Sequence, residues 1–323
     1  MKNIDIKIIR QWSKMGPRAM FGQFMLDLAK KDKKLMILSA DLGRSSGLDR
    51  FKKEFPNQYL SVGISEQNMI GVASGLAKEG FKVFVTSFAP FLSMRASEQI
   101  RMNLGYMKLP VNLVALGSGV SMGYLGNSHF GLEDIGVMRT IPGLNISCPA
   151  DCLEMRKMLF DYAQNNRGPS YIRLTGTPGY PPTYHKDYNY KIGLPVKLID
   201  GNEVLIIATG SMVSQAILAE KILKKKDISV KLLNLNTLKP VSKKLKNELK
   251  KFKMIFTIEE HSILGGLGTI VAEEIVNQGI KTNLEKISLP DKFGPTGNYN
   301  YLLNYHGLTG EKIAKKILRS MRF

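Results

Sequence analysis

Short apolar runs alternate with amphipathic stretches along the first half of the chain. Four runs have the length and apolar content of buried strands: LMILSADL (35–42), FKVFVTSF (81–88), VNLVALGSG (111–119) and LNISCPA (144–150). Apolar residues recur at helical spacing near residues 17–30, 66–79, 92–105 and 151–165. Strands that alternate with helices usually pair in parallel and are covered on both faces. The pattern therefore predicts an α/β domain built on a mostly parallel sheet.

A second alternating unit follows a break in this pattern. Residues 176–192 are rich in proline, glycine and tyrosine, a composition that favours turns and predicts a linker. Beyond it, strand-like runs at 203–211, 228–238 and 253–261 alternate with helical stretches at 212–225, 241–251 and 269–279. We therefore predict two domains, residues 1–180 and 190–323, each a mostly parallel sheet with helices on both faces.

The composition is that of a globular protein in a reducing environment. Hydrophobic residues make up 44% of the 323 residues and charged residues 23%. No window approaches the roughly 20 uncharged apolar residues that a membrane-spanning helix needs, and the first residues lack a secretory pattern. Cys148 and Cys152 have neither the further cysteines of a disulfide framework nor the nearby histidines of a zinc site. We expect a cytoplasmic protein without a membrane partner.

The net charge of +19 raises the question of a nucleic-acid partner. The lysines fall in short clusters, at 30–34, 221–226 and 243–253, with apolar residues between them. The chain has no basic stripe interleaved with aromatic residues, and no helix-turn-helix or zinc signature is present. This arrangement favours solvated helix faces over nucleic-acid binding, although the charge would help to attract anionic ligands.

A glycine turn, GGLGTI at 265–270, follows a predicted strand and opens a predicted helix. Such a turn can cradle a phosphate at the helix N-terminus. The segment has neither the Walker spacing nor the full dinucleotide fingerprint. We interpret it as a tight strand-to-helix turn.

Two local motifs carry candidate chemistry. In GISEQNM (63–69), Glu66 stands at the start of a predicted helix, where the helix dipole favours a carboxylate even without any other role. In SFAPF (87–91), Phe88 and Phe91 end a strand and begin a helix, a spacing that is usual for core residues. Taken together with SADLGRSSG (39–47) and the segment 128–151, these two motifs are more distinctive than either of them is alone.

In the order and spacing of these blocks, the chain resembles the C-terminal half of transketolases. That half comprises the pyrimidine-binding domain and the C-terminal domain, and in split transketolases it is a separate second subunit. Further matching blocks are IATGS, LNTLKP and EEHSILGGLGTIVAE in the second predicted domain. The resemblance runs from about residue 15 to the end and implies a transferase that moves a two-carbon ketol unit with thiamine diphosphate.

The resemblance also implies roles for individual residues. Glu66 would bond N1′ of the cofactor's aminopyrimidine and take part in its activation. Such a carboxyl must keep its proton near neutral pH, and desolvation in an apolar pocket would raise its pKa. Phe88 and Phe91 would stack on the pyrimidine, Asp41 would help to bind the cofactor, and His129 matches an active-site histidine near the donor carbonyl. Without the resemblance, His129 would be an ordinary loop histidine.

On the substrate side, the resemblance is incomplete. Arg18, Ser45 and Arg173 match positions that bind the substrate phosphate, a task suited to guanidinium groups. From their residue types alone, the arginines could be surface or ion-paired residues and the serine a helix N-cap. Leu125 replaces the aspartate that reads the donor's 2-hydroxyl, and Gly117 replaces a phosphate-binding histidine. Because an unpaired hydroxyl costs roughly 1 to 3 kcal/mol, we expect a non-standard donor or acceptor.

A thiamine diphosphate site needs a second half that this sequence lacks. No Gly-Asp-Gly occurs, and the paired asparagines at 165 and 166 lack the family's context. The resemblance therefore implies a partner subunit that supplies the diphosphate contacts and the ligands of Mg²⁺ or Ca²⁺. We expect an α2β2 complex with that partner, a homodimer of the chain alone, and no activity without the partner. His261 is assigned no catalytic role; a structural place or a subunit contact is favoured.

Two other functions remain open at this stage. One is a subunit resembling 1-deoxyxylulose-phosphate synthase or the beta subunit of a 2-oxo-acid dehydrogenase, because Leu125 makes a less hydroxylated donor conceivable. The other is a non-catalytic binding subunit, which the joint presence of Glu66, Phe88, Phe91 and Asp41 argues against.

Overall fold

A computed structural model describes residues 4–165 and 168–321, so that Asn166 of the asparagine pair lies outside the described residues. The chain forms two mostly parallel sheets with helices on both sides, and the predicted fold class is confirmed. The first sheet has seven strands in the order β10-β5-β6-β4-β3-β1-β2. Its strands are β1 (Leu35–Ser39), β2 (Tyr59–Ser61), β3 (Lys82–Phe88), β4 (Asn112–Leu116), β5 (Asn145–Ser147), β6 (Ser170–Arg173) and β10 (Thr237–Lys239).

The second sheet has five strands in the order β12-β11-β8-β9-β7, and β7 is antiparallel to its neighbour. Its strands are β7 (Val196–Ile199), β8 (Val204–Ala208), β9 (Val230–Asn234), β11 (Met254–Ser262) and β12 (Asn283–Leu289). The apolar runs at 35–42, 81–88, 111–119, 144–150, 203–211 and 253–261 are confirmed as strand regions. The short or half-polar strands β2, β6, β7 and β12 were not predicted.

One predicted strand is divided between the two sheets. The run 228–238 forms β9 in the second sheet and then β10, which pairs antiparallel with β5 of the first sheet. Asn234 and Asn236, near the break, are buried and bond the carboxylate of Glu154. The second domain therefore contributes a strand to the sheet of the first. The predicted boundaries at 180 and 190 stay a prediction.

Helices cover both sheets. They are α1 (Ile6–Met15), α2 (Pro17–Ala29), α3 (Asp49–Glu54), α4 (Glu66–Lys78), α5 (Ser97–Gln99), α6 (Asp134–Met138), α7 (Cys152–Asn165), α8 (Met212–Lys224), α9 (Lys243–Leu249), α10 (Leu267–Asn277), α11 (Tyr299–Tyr305) and α12 (Gly310–Ser320). Instead of one regular helix at 92–105, two π-helical segments, Phe91–Arg95 and Ile100–Tyr106, flank α5. π-Turns often occur at functional sites. No helix in the described part of the chain is long and apolar enough to cross a membrane.

Two carboxylates, those of Asp151 and Glu154, fix the linker between the domains. Asp151 accepts hydrogen bonds of 2.9 Å from the backbone N–H groups of Thr183 and Tyr184. Glu154 accepts from the hydroxyls of Tyr184 at 3.0 Å and Tyr188 at 2.6 Å. Burial raises the pKa of Asp151 to about 6. The linker is thus bonded to the N-terminal end of α7 and does not act as a free tether.

Candidate functional site

Glu66 begins α4, and its side chain lies in the protein interior. The carboxylate is 1% exposed, and both of its oxygens have partners. The Ser87 hydroxyl, near the end of β3, donates to Oε1 at 3.1 Å, and Arg95 Nη1 donates to Oε2 at 2.7 Å. The sequence had suggested an apolar pocket around this carboxyl. In the structure, two polar side chains face it.

Arg95 joins the carboxylate to an aromatic ring. Its guanidinium carbon lies 4.3 Å from the ring centroid of Phe91, which is cation–π distance. The Arg95 side chain is 44% exposed, so it forms the outer wall of the site around Glu66. Sequence reasoning missed this residue. The sequence feature that could have pointed to Arg95 is its position four residues after Phe91, on the same predicted helix.

Three aromatic side chains come together beside this ion pair. The ring centroids of Phe88 and Phe91 are 5.9 Å apart, and that of His129 lies 5.6 and 5.4 Å from them. All three pairs meet edge to face, a favourable geometry for aromatic rings. Ser128 Oγ lies 3.0 Å from His129 Nδ1. The structure therefore places His129 against the two phenylalanines, although some forty residues separate them in sequence.

Asp41 lies at the same sheet edge as the aromatic residues. β1 and β3 are parallel, with Ser39 opposite Thr86, so Asp41 and Phe88 each follow this pair by two residues. Asp41 is exposed and has a φ of 57°, a left-handed conformation that aspartate tolerates better than most residues. Its placement is compatible with a contact to a ligand at this edge.

Arg18 and Ser45 line one concave surface. Arg44, Gly47 and Pro178 line it with them. Both arginines are exposed to solvent, so their side chains are open to a ligand. Arg44 was not among the predicted residues, although it precedes Ser45 directly. Two arginines and a hydroxyl on one concavity suit an anionic group.

Arg173 does not join this surface. Its side chain is 1% exposed, and Nε donates to both oxygens of Asp134, at 3.0 and 2.8 Å. Nη2 donates to the backbone oxygens of Gly131 and Glu260, each at 2.9 Å. A guanidinium engaged in this way inside the protein cannot also face a substrate phosphate, so we leave Arg173 out of the proposed phosphate site. Arg173 is instead an ion-paired residue, which was one of the alternatives considered from its residue type alone.

The two departures from the family pattern lie on neighbouring segments. Leu125 is 52% exposed, on a short 3-10 segment, Gly123–Ser128. Gly117 has a φ of +65°, and a Cβ placed there would lie 2.4 Å from Met122 Sδ. Met122 therefore fills the space that a side chain at position 117 would need.

His261 and the glycine turn have structural places. His261 Nε2 accepts from the backbone N–H groups of Ile135 at 3.2 Å and Gly136 at 3.4 Å, and burial lowers its pKa to about 4. Glu259 accepts from the N–H groups of Leu267 and Gly268 and so caps α10. Because this carboxylate takes up the first N–H groups of the helix, the turn does not present them to a phosphate.

Family models, sequence relatives and solved structures all relate this chain to transketolases. Residues 13–177 match the family described as transketolase, pyrimidine binding domain, and residues 196–313 match transketolase, C-terminal domain. A putative transketolase C-terminal section from Methanocaldococcus jannaschii is 39% identical over 95% of this chain and 96% of its own length. One subunit of an apulose-4-phosphate transketolase from Phocaeicola vulgatus is 35% identical, over 94% of this chain and 97% of its own.

A solved structure is similar over nearly the whole chain. It is a split gene transketolase, described as an inactive beta4 tetramer, with a TM-score of 0.83 and 33% identity over 94% of this chain and 96% of its own. A 1-deoxy-D-xylulose-5-phosphate synthase of Halothermothrix orenii is 34% identical over 93% of this chain but only 47% of its own length. The chain thus corresponds to a separate subunit in some relatives and to half of a longer protein in others.

Proposed function

This chain belongs to the transketolase family, and from that premise we propose that it is the pyrimidine-binding subunit of a two-chain transketolase-like enzyme. The enzyme transfers a two-carbon ketol unit between sugars, in the cytoplasm, and works only with a diphosphate-binding partner. The observation that carries this proposal is the buried Glu66 carboxylate beside the cluster of Phe88, Phe91 and His129.

The family implies thiamine diphosphate, and the described residues fit its aminopyrimidine. A buried carboxylate at the start of α4 suits a ring nitrogen, and the rings of Phe88 and Phe91 suit the face of a flat heterocycle. When bound, the cofactor supplies the acidic carbon at which ketol transfer takes place. Glu66 holds or shares a proton at N1′, Asp41 contacts the cofactor from the end of β1, and His129 faces the donor.

We assign the metal site, for Mg²⁺ or Ca²⁺, to the partner subunit. Within residues 4–165 and 168–321, no group of three or more His, Cys, Asp or Glu side chains is placed to hold a metal ion. Arg18 and Ser45 remain the proposed ligands of an anionic substrate group, with Arg44 added from their shared concave surface.

The outer face of α4 is the proposed contact with a second copy or the partner. Gly71 and Gly75 lie one helical turn apart on this face, and a Cβ at either would have no neighbour within 4 Å. Ile64 is 75% exposed just before the helix, and Met94 is also exposed. Small residues with apolar neighbours allow a second helix to approach closely, in keeping with a homodimer alone and an α2β2 complex.

Gly75→Phe is expected to break this assembly without harming the fold of the chain. The added ring points into open space in the single chain but would block a close helix approach. Light scattering should show the loss of the dimer, with an unchanged circular dichroism spectrum. Gly75→Ala is the control, since one methyl group should weaken association far less. If Gly75→Phe leaves the oligomeric state unchanged, α4 is not part of the interface.

Leu125→Asp is expected to improve the use of ordinary phosphorylated ketoses. A charged acceptor for the donor's 2-hydroxyl is worth about 1.5 to 3 kcal/mol, or roughly ten- to a hundredfold in relative kcat/KM. The phosphate-binding histidine that is missing at Gly117 should keep the gain below the upper figure. The measurement is steady-state kinetics on xylulose 5-phosphate with the partner present, and Leu125→Asn is the uncharged control. Efficient use of this donor by the wild type, with no gain from the aspartate, would contradict a non-standard substrate.

A 1-deoxyxylulose-phosphate-synthase-like activity is the second candidate. The similarity to such a synthase over 93% of the chain supports it, as does a leucine in place of a hydroxyl-reading aspartate. Pyruvate offered to the reconstituted pair, against a panel of ketose phosphates, separates the two reactions, because only the synthase-like reaction releases carbon dioxide. Thiamine diphosphate titration tests the third possibility, a non-catalytic subunit.

A further inference from the structure

We propose that the second domain positions the active-site histidine. Residues 119–131, here called the histidine loop, carry His129 and are bonded to the second domain at the base and at the tip. The inference rests on the proposed function, because it assigns the histidine loop to the ketol-transfer site. It makes Glu260 a positioning residue, which acts on the reaction through the loop.

The base of the histidine loop is bonded to Glu260. This carboxylate, on β11, is buried, and its Oε1 accepts from Val120 N–H at 2.7 Å. Its Oε2 accepts from the hydroxyls of Tyr299 at 2.5 Å and Ser211 at 2.7 Å. A Cβ at Gly119 would lie 2.2 Å from Oε1, so the loop reaches the carboxylate only because this residue is glycine. Three donors on one buried carboxylate fix its position and that of the loop base.

Arg173 strengthens the same junction from inside the protein. Its Nη2 donates both to Gly131 at the end of the histidine loop and to the backbone oxygen of Glu260. Gly119 and Gly131 exchange backbone hydrogen bonds of 2.8 and 3.0 Å, which close the loop. The arginine that matches a phosphate-binding position therefore joins the loop to β11.

The tip of the histidine loop is bonded to Gly294 and packs against Thr296. Asn127 Nδ2 donates to the backbone oxygen of Gly294 at 3.0 Å, and Gly294 N–H lies 3.4 Å from Asn127 Oδ1. A Cβ at Gly126 would lie 2.6 Å from Thr296 Cγ2. His129 stands between these two attachments, and its ring packs on Phe88 and Phe91. A shift of either attachment would move the imidazole relative to the aromatic rings.

The test removes one hydrogen-bonding side-chain group at each attachment. Tyr299→Phe removes a donor to Glu260, and Asn127→Ala removes the contact at the tip. Tyr301→Phe, on the same helix as Tyr299 but half exposed, is the matched control. Hydrogen exchange of the isolated chain should show amides of the histidine loop exchanging about tenfold faster or more in both variants, with little change elsewhere. With the partner, kcat should fall several-fold while the Kd for thiamine diphosphate stays the same.

Each outcome decides the proposal. Unchanged exchange in the histidine loop would overturn it, and so would a rise shared equally by the whole second domain, since that would mean a general loss of stability. Faster loop exchange with unaltered kcat in an active complex would also overturn it. Failure of the proposed function can be distinguished from failure of this inference. In the first case, the wild-type complex would transfer no ketol unit. The exchange measurement needs neither partner nor cofactor, so it would still decide whether the second domain holds the loop.

Discussion

Glu66→Gln is expected to remove most of the turnover of the reconstituted enzyme while leaving thiamine diphosphate bound. The amide has the size of the carboxyl and can still form hydrogen bonds, but it cannot hold or pass on a proton at N1′. Positioned proton transfer typically contributes about 10²–10⁴ in rate. We expect a loss within that range in kcat and slower exchange of the C2 proton of the bound cofactor. Calorimetry should give a nearly unchanged Kd.

The ion pair with Arg95 calls for a companion variant. Glu66→Gln also removes the charge that Arg95 Nη1 meets at 2.7 Å, so a change could reflect the lost pair. Arg95→Gln removes the same pair and keeps the carboxyl. If Glu66 acts through its proton, Arg95→Gln should retain much more turnover than Glu66→Gln. Full C2 exchange and turnover in Glu66→Gln would end the proposed role of this residue.

Asp134→Asn is expected to have the largest effect on stability. It leaves the buried Arg173 guanidinium without its ion-pair partner, and it weakens the acceptor of the 2.9 Å bond from Tyr171. Removing one partner of a buried ion pair costs about 3–5 kcal/mol. For a protein of this size, that loss lowers the midpoint of thermal unfolding by on the order of 10 °C.

An exposed pair provides the matched control. Glu98 meets Arg101 at the surface at 2.9 Å, and Glu98→Gln makes the same carboxyl-to-amide change where water can solvate the remaining charge. Such exposed pairs contribute little to stability because water and salt screen the two charges. The double variant Asp134→Asn/Arg173→Met should recover part of the loss, because it removes the unpaired charge. A midpoint shift in Asp134→Asn no larger than that in Glu98→Gln would show that the buried pair carries little of the stability.

The sequence predicted the parts of the site that depend on local pattern. Strand ends and helix starts are readable from apolar spacing, so Glu66 could be placed at the start of a helix and Phe88 and Phe91 at a strand-to-helix turn. That the three residues share one site was implied only by the family resemblance. The burial of Arg173 could not be read in this way. Its partners Asp134 and Glu260 stand 39 and 87 residues away, and nothing in the spacing shows that they converge. Only the folded chain shows that this guanidinium is enclosed.

Arg95 was missed for a different reason. A charged residue on an amphipathic helix is normally assigned to solvent, and the π-turns that place Arg95 over Phe91 leave no clear mark in the apolar spacing. Similarly, the run 228–238 has one continuous β pattern, although its two halves belong to different sheets. In such cases the apolar pattern of the sequence predicts whether a segment is a helix or a strand. Tertiary contacts decide which strands or side chains lie next to it.

Because β10 belongs to the second half of the chain but pairs with β5 in the first sheet, neither half has a complete structure without the other. A fragment ending in the linker would lack β10, and the backbone of β5 that pairs with it would become an open sheet edge. Uncovered edges of this kind invite pairing with other chains and aggregation. The second half, for its part, would carry a short strand with no sheet to join. Although each half has its own sheet, the two halves are therefore poor candidates for separate production or for recombination with halves of other relatives.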